Sequence, residues 1–303
     1  MRCVITGGRG FVGGHLALAL RGAGHDVVLL DRAEVDVADG EAVRARFAAT
    51  QPEAVFHLAA LTHVGDSWAD PDAVWRVNVG GTEAVLAAAD AVGTEVVLIV
   101  GSAEEYGRVT PADVPLTESH PANGASPYGR SKVEATRRAV EFAASSPVRV
   151  VVARPFNHTG PGQTTRFLIP ALAQRIREAR ASGTGKIAVG NLDPIRDIGD
   201  VRDVVRAYVA LVEHGETGEI YNVSTGRGVS VREIAETLVA VAGVSLELRV
   251  DQDLVRPVDI PILIGDHTKL TAATGWEPEI ALATTLADVL EFGVRSADGP
   301  TSH

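Results

Sequence analysis

A chain of 303 residues that is 46% hydrophobic and 22% charged can bury a large core, either as one big domain or as a main domain with a smaller lobe. Its formal net charge of -11 argues against a general nucleic-acid or anionic-membrane surface. Cys3 is the single cysteine, which excludes an internal disulfide. Without a basic-plus-apolar leader or a membrane-length apolar run, the expectation is a cytoplasmic protein with no membrane span.

The first residues, Met1 to Thr6, read as a short apolar strand that runs into Gly7-Gly8-Arg9-Gly10-Phe11-Val12-Gly13 and then a helix. Gly8, Gly10 and Gly13 fit G-x-G-x-x-G, and Gly7, Gly10 and Gly13 fit G-x-x-G-x-x-G. Glycine serves there because the chain turns sharply, a pyrophosphate approaches the backbone, and the helix packs close to the strand. The N–H groups at the helix start would face the phosphates. A second strand, His25 to Leu30, ends in Asp31, about 20 residues on, where a ribose hydroxyl pair is held. Asp31 would repel a 2'-phosphate and favour NAD, whereas Arg32 beside it would accept that phosphate. These residues predict a dinucleotide-binding half.

Farther along, Phe11 to Arg21 carry a helical pattern, Gly40 to Ala49 a modest helix, and Ala54 to Leu58 a buried strand. Pro71 to Ala91 predict one long helix, with Asp70 or Asp72 as cap and Gly80-Gly81 marking close packing. Thr94 to Val100 read as a central parallel strand covered on both faces. After a turn-rich stretch from Gly107 to Pro127 come a helix over Tyr128 to Ala144 and a strand over Val148 to Ala153. The alternation predicts an α/β fold, a Rossmann-type parallel sheet with helices on both faces. Past Arg154-Pro155 the character changes. Helices are expected over Phe167–Arg180, Val201–His214, Ser230–Ala242, Asp266–Ala273 and Ile280–Val294, and Arg295 to His303 read as a frayed tail. Strands are expected within Gly183–Gly190 and over Glu219–Val223 and Leu246–Val250. Ser230 and Glu233 form a capping box. Residues 1–155 would be the dinucleotide-binding domain. Residues 156–303 would mainly form a smaller C-terminal substrate-binding lobe, some segments returning to the sheet.

Tyr128 and Lys132 are four apart near a helix start, on one face. An ammonium beside a phenol favours the phenolate, so Lys132 is expected to lower the Tyr128 pKa from about 10. Such a tyrosine passes a proton to a developing alkoxide at neutral pH. Ser102 follows the central strand at its C-terminal end, where open sheets place their sites. Its hydroxyl would hold a carbonyl oxygen in register with Tyr128. No metal-ligand set is assigned.

Thr6 to Gly13, His57-Leu58-Ala59-Ala60, Asn78-Val79-Gly80-Gly81-Thr82, Tyr128-Gly129-Arg130-Ser131-Lys132 and Arg154-Pro155-Phe156-Asn157 together resemble the extended short-chain dehydrogenase/reductases that modify nucleotide-linked sugars. The likeness covers nearly the whole chain. It implies Ser102, Tyr128 and Lys132 as the catalytic set, with Lys132 also on the nicotinamide ribose of NADPH or NADH. It also puts Asp36 and Val37 beside the adenine, and Leu58, Ala59, Ala60 and Asn78 near the cofactor. The second half resembles the branch containing GDP-mannose 4,6-dehydratase and GDP-4-keto-6-deoxy-D-mannose reductase. By that likeness Asn157 and Asn191 would hold the diphosphate or base, Arg196 and Arg256 would pair with phosphate oxygens, and Arg166 and Arg202 are weaker candidates.

A 4,6-dehydratase of this branch places a Thr, an Asp or Ser, and a Glu in a row. Here the row is Ser102-Ala103-Glu104: alanine has no proton to give, while Glu104 is kept. The resemblance therefore implies NAD(P)H-dependent reduction of a GDP-4-keto-6-deoxyhexose, giving GDP-D-rhamnose. The alternatives are a 4,6-dehydratase, a 4-epimerase, or a nucleotide-sugar or dinucleotide sensor without turnover. A homodimer is implied by the likeness of helices 71–91 and 128–144 to those that pair in relatives.

Overall fold

In the computed structural model, which describes residues 1–255 and 260–292, the apolar runs of the first half become parallel strands wound in and out of helices. In chain order these are β1 (Arg2–Thr6), α1 (Phe11–Gly22), β2 (Asp26–Leu30), α2 (Gly40–Thr50), β3 (Ala54–His57), α3 (Pro71–Trp75), α4 (Gly81–Val92), β4 (Val96–Val100), α5 (Pro127–Ala143) and β5 (Arg149–Pro155). The second half adds β6 (Asn157–Thr159), α6 (Leu168–Ser182), β7 (Lys186–Val189), β8 (Ile195–Asp200), α7 (Val201–His214), β9 (Ile220–Val223), β10 (Gly228–Ser230), α8 (Val231–Val241), β11 (Glu247–Val250), β12 (Ile262–Leu263), α9 (Thr268–Thr274) and α10 (Leu282–Glu291).

The main sheet has the order β2-β1-β3-β4-β5-β9, every pair parallel. Alternating residues of each strand feed two cores, as the twofold strand period requires. Cys3, Ile5, Phe56 and Leu98 pack with Leu16 of α1 and Leu211 of α7. Val4, Val55, Val97 and Ile99 pack with Phe47, Leu86 and Ala139 of α2, α4 and α5. Strand order reverses between β1 and β3, so the crevice at the carboxyl ends lies there. The lobe is built on the sheet β10-β8-β12, with β6 paired to β8, and on the β7-β11 pair. Its own core joins Ile169 and Ile176 of α6, Ile234 and Leu238 of α8, and Leu286 of α10. β9 crosses back from this half to edge the main sheet.

Three expectations are corrected. The helix over 71–91 is not continuous: a π-helical turn, Arg76–Gly80, separates α3 from α4. Such turns displace a side chain from the regular ladder, and the one displaced here is Asn78. Close packing belongs to Gly81 alone, where a Cβ would stand 2.9 Å from Val37 Cγ2; Gly80 has nothing within 4 Å. Strand β8 went unread because its buried members are partly polar. Asp197 is buried and accepts hydrogen bonds from Thr225 N (2.9 Å), Thr225 Oγ1 (2.6 Å) and Gly226 N (2.9 Å). Arg256 and the tail 295–303 lie outside the described residues. No helix among the described residues is long and apolar enough to cross a membrane.

Candidate active site

The turn after β1 is shaped by two glycines. Gly7 has φ +68°, and a Cβ on it would meet Ala59 N at 3.0 Å; a Cβ on Gly13 would meet Gly7 O at 2.5 Å and Gly8 Cα at 2.7 Å. Larger residues would push β1, α1 and the loop after β3 apart. At the end of β2, Asp31 Oδ1 accepts from Arg9 N at 3.1 Å, and Arg9 Nε lies 3.2 Å from Oδ2. That Oδ2 is buried and has no hydrogen-bond partner among the described residues. A carboxylate held by Arg9 beside a glycine cradle fits a ribose hydroxyl pair, and the first-turn N–H groups of α1 fit the adjoining pyrophosphate.

Every residue predicted for catalysis or for the cofactor except Asn78 lines one cleft of about 900 Å³, and so do Asn157, Asn191, Arg166 and Arg196. Asn78 is instead a brace. Its Oδ1 accepts from Leu61 N (2.8 Å), and its Nδ2 donates to Leu61 O (3.1 Å) and to Ser131 Oγ (2.9 Å). It thereby ties the loop after β3 to α5. Arg202 is also outside the cleft. It closes on Asp200 and Asp288, each at 2.7 Å, because it sits in the first turn of α7 against the Asp200 cap.

Ser102, at the end of β4, caps a short 3-10 turn, and its Oγ accepts from Glu104 N at 3.2 Å. Pro127 and the Ser126 cap start α5, which places Tyr128 and Lys132 in the same wall. Lys132 Nζ donates to Val100 O at 2.7 Å. Burial lowers its pKa to about 8, with the Glu105 charge opposing. The Tyr128 phenol moves opposite to the expectation: burial raises it, the Ser102 hydrogen bond opposes, and the Glu104 and Glu105 charges raise it further. Burial of the phenol first, and then the two carboxylates at this wall, explain the reversal. The folded chain therefore keeps Tyr128 protonated at neutral pH, as a proton donor needs to be. Beneath the site, His57 Nδ1 pairs with Thr6 Oγ1 at 2.8 Å; burial, and then the Lys132 charge, lowers this imidazole to about 3.

The far wall is cationic. Arg166, Arg175 and Arg196 line it, Arg175 Nη1 donating to Ala188 O (3.1 Å) and Arg196 Nη1 to Ile195 O (3.0 Å). Arg166 pairs with Asp66 across the mouth. Sequence reasoning missed Arg9 and Arg175, and read Glu105 only as part of the Gly-Ser-Ala-Glu-Glu-Tyr-Gly run that resembles the reductase. Arg9 lay in plain view inside the glycine turn; Arg175 carried no signal, and the buried pairing of Glu105 with Arg154 depends on which elements fold together.

The sequence pattern of the NAD dependent epimerase/dehydratase family matches residues 3–224. The GDP-6-deoxy-D-mannose reductase of Pseudomonas aeruginosa is 36% identical over 295 residues, covering 95% of this chain and 96% of its own. The chain belongs to the NAD-dependent epimerase/dehydratase family. A solved structure of RMD from Pseudomonas aeruginosa complexed with NADPH superposes with a TM-score of 0.87 at 35% identity, over 96% of this chain and 98% of that one. The UDP-glucose 4-epimerase of Thermotoga maritima with UDP-glucose superposes at 0.89 with 26% identity, over 96% and 98%. As a member of this family the protein is an NAD(P)-dependent oxidoreductase.

Proposed function

We propose that the protein reduces the C4 ketone of a GDP-linked 4-keto-6-deoxyhexose, GDP-4-keto-6-deoxy-D-mannose, to GDP-D-rhamnose with NADPH or NADH. The observation that carries this reading is the make-up of one wall. Ser102, Tyr128 and Lys132 stand there together, while the position before Glu104 is Ala103, which has no proton to give for loss of water across C5 and C6.

The bound dinucleotide supplies a hydride to C4. Ser102 Oγ and the Tyr128 hydroxyl donate hydrogen bonds to the carbonyl oxygen, and Tyr128 gives its proton as the alkoxide develops. The Lys132 ammonium stabilises the phenolate left behind. Arg196, Arg175 and Arg166 hold the diphosphate of the sugar nucleotide, a match for planar guanidinium forks, and Asn157 and Asn191 orient it. In this division residues 1–155 serve the dinucleotide and the lobe from 156 onward mainly the sugar nucleotide. Guanine as the base is supported by the likeness to the Pseudomonas reductase. A homodimer is supported by Trp75 on α3, 47% exposed beside α5.

Glu104 favours a second reading. Its carboxylate lines the cleft, where a dehydratase needs a base. The test is to supply the purified protein with the 4-keto sugar and NADPH or NADH. The reductase reading expects absorbance at 340 nm to fall in step with product; conversion of GDP-mannose without added reductant would overturn it in favour of the dehydratase.

A further inference from the structure

Glu105 has no part in the mechanism above, yet it is fully buried and joins three elements at once. Its Oε1 accepts from Ser102 N at 2.8 Å and from Thr136 Oγ1 at 3.1 Å. Its Oε2 accepts from Arg154 Nε at 2.9 Å and Nη2 at 2.7 Å, and Arg154 is only 3% exposed. Ser102 follows β4, Thr136 is on α5, and Arg154 is on β5. Because α5 also carries Tyr128 and Lys132, one carboxylate ties the carbonyl-holding residue to the helix of the proton donor. A Cβ on Gly101 would run into Oε1, so the side chain fills its site completely.

The chain of contacts continues outward. Arg154 Nη1 donates to Tyr106 Oη (3.1 Å), which donates to Asn222 Oδ1 (2.7 Å). The charged or titratable groups facing Glu105 are Arg154 from β5, Lys132 and Tyr128 from α5, and Glu104 and Tyr106 from its own turn. Glu118 and His120 lie against the next groups along, Asn222 and Tyr106. Burial raises the Glu105 carboxyl, with the Arg154 charge and the hydrogen bonds from Ser102, Arg154 and Thr136 opposing; the four donors that converge on its two oxygens fit the carboxylate form. A buried ion pair is poor evidence of stabilisation, because apolar replacements of similar volume often serve as well. Its position suggests another use.

We propose that Glu105 is a positioning residue for ketone reduction, clamping Ser102 to the helix of Tyr128 and Lys132. This rests on the reductase reading, and the experiment separates the two. If the parent protein reduces no ketone, that reading fails; if it does, the variants judge Glu105.

Glu105→Gln keeps an oxygen for the Ser102 and Thr136 donors, and its amide NH2, a donor, replaces the oxygen that accepts from Arg154, so the charge and both Arg154 hydrogen bonds are lost. Its kcat is expected to fall on the order of 10- to 100-fold, with KM for the ketone and Kd for NADPH within about threefold of the parent. Glu105→Asp keeps the charge and withdraws the reach, and its kcat is expected on the order of tenfold below the parent's. A Glu105→Gln kcat within about twofold of the parent's overturns the clamp. Should Glu105→Gln not fold, Glu105→Asp carries the test, and full kcat in that variant overturns the clamp.

Discussion

On the β1–β3 side of the cleft the groups that face a ligand are largely main chain. Gly7 and Gly13 bring backbone to backbone, α1 starts without a side-chain cap, and Asp31 is held at the end of β2 by Arg9. On the β8 side they are side chains, the guanidinium groups of Arg166, Arg175 and Arg196 arriving from a loop, a helix and a strand. Asp31 and Asp36 share the dinucleotide end with Arg32, whereas Arg166, Arg175 and Arg196 line the other. The contrast teaches that the dinucleotide end is fixed by the path of the chain, whereas the sugar-nucleotide end is fixed by which side chains happen to converge. The first tolerates little change in backbone geometry; the second is open to retuning one residue at a time.

Three predictions press on that contrast. The largest effect is expected where the two ends meet. Tyr128→Phe should lower kcat by on the order of 10²- to 10⁴-fold while NADPH affinity stays within about threefold, because the dinucleotide end is held without the phenol. Stopped-flow kinetics and a binding titration measure both; equal loss of affinity and turnover would show that the two ends are not separable. Next, Arg196→Ala should raise KM for the sugar nucleotide about tenfold, the worth of a charge-assisted contact. Arg202→Ala should leave that KM within about twofold and lower stability by about 1–2 kcal/mol, since it serves Asp200 and Asp288. If Arg202→Ala matches Arg196→Ala in KM, the cationic wall has been drawn in the wrong place.

The smallest effect concerns the scaffold below the dinucleotide end. His57 in the folded chain is lowered from 6.5 to about 3, so the unfolded chain takes up the proton first as pH falls. Its contribution to stability is complete above pH 6.5 and declines toward pH 3, amounting to a loss of about 2 kcal/mol by pH 5. Urea denaturation at pH 7 and pH 5 should show this slope, and His57→Gln should flatten it. An unchanged slope in the variant would assign the acid sensitivity to other groups.

The alternation of strand and helix, the glycine turn and the Tyr128–Lys132 spacing were legible because each is local: the residues that act together are neighbours in sequence. Val201–His214 was read to its observed ends, since its apolar stripe and the Asp200 cap lie within one stretch. What escaped depends on contacts between distant segments. The π turn at Asn78 exists to reach Leu61 and Ser131. Strand β8 hides behind Asp197, a buried carboxylate satisfied by Thr225, Gly226 and Gly265. Arg202 and Arg196 are alike in sequence, and Asp200 and Asp288, each at 2.7 Å, hold Arg202 away from the cleft. The direction of the Tyr128 shift was misjudged for the same reason. Lys132 was visible four residues along, but the burial of the phenol and the carboxylates Glu104 and Glu105 beside it were not.

The most direct measurement of the central claim follows a labelled hydride. NADPH carrying deuterium at the transferred position is supplied with GDP-4-keto-6-deoxy-D-mannose, and the product is read by proton NMR. Reduction assisted by Ser102 and Tyr128 predicts one deuterium at C4 of the hexose and none at C5 or C6. Deuterium at C6, or a product unlabelled at C4, would contradict it.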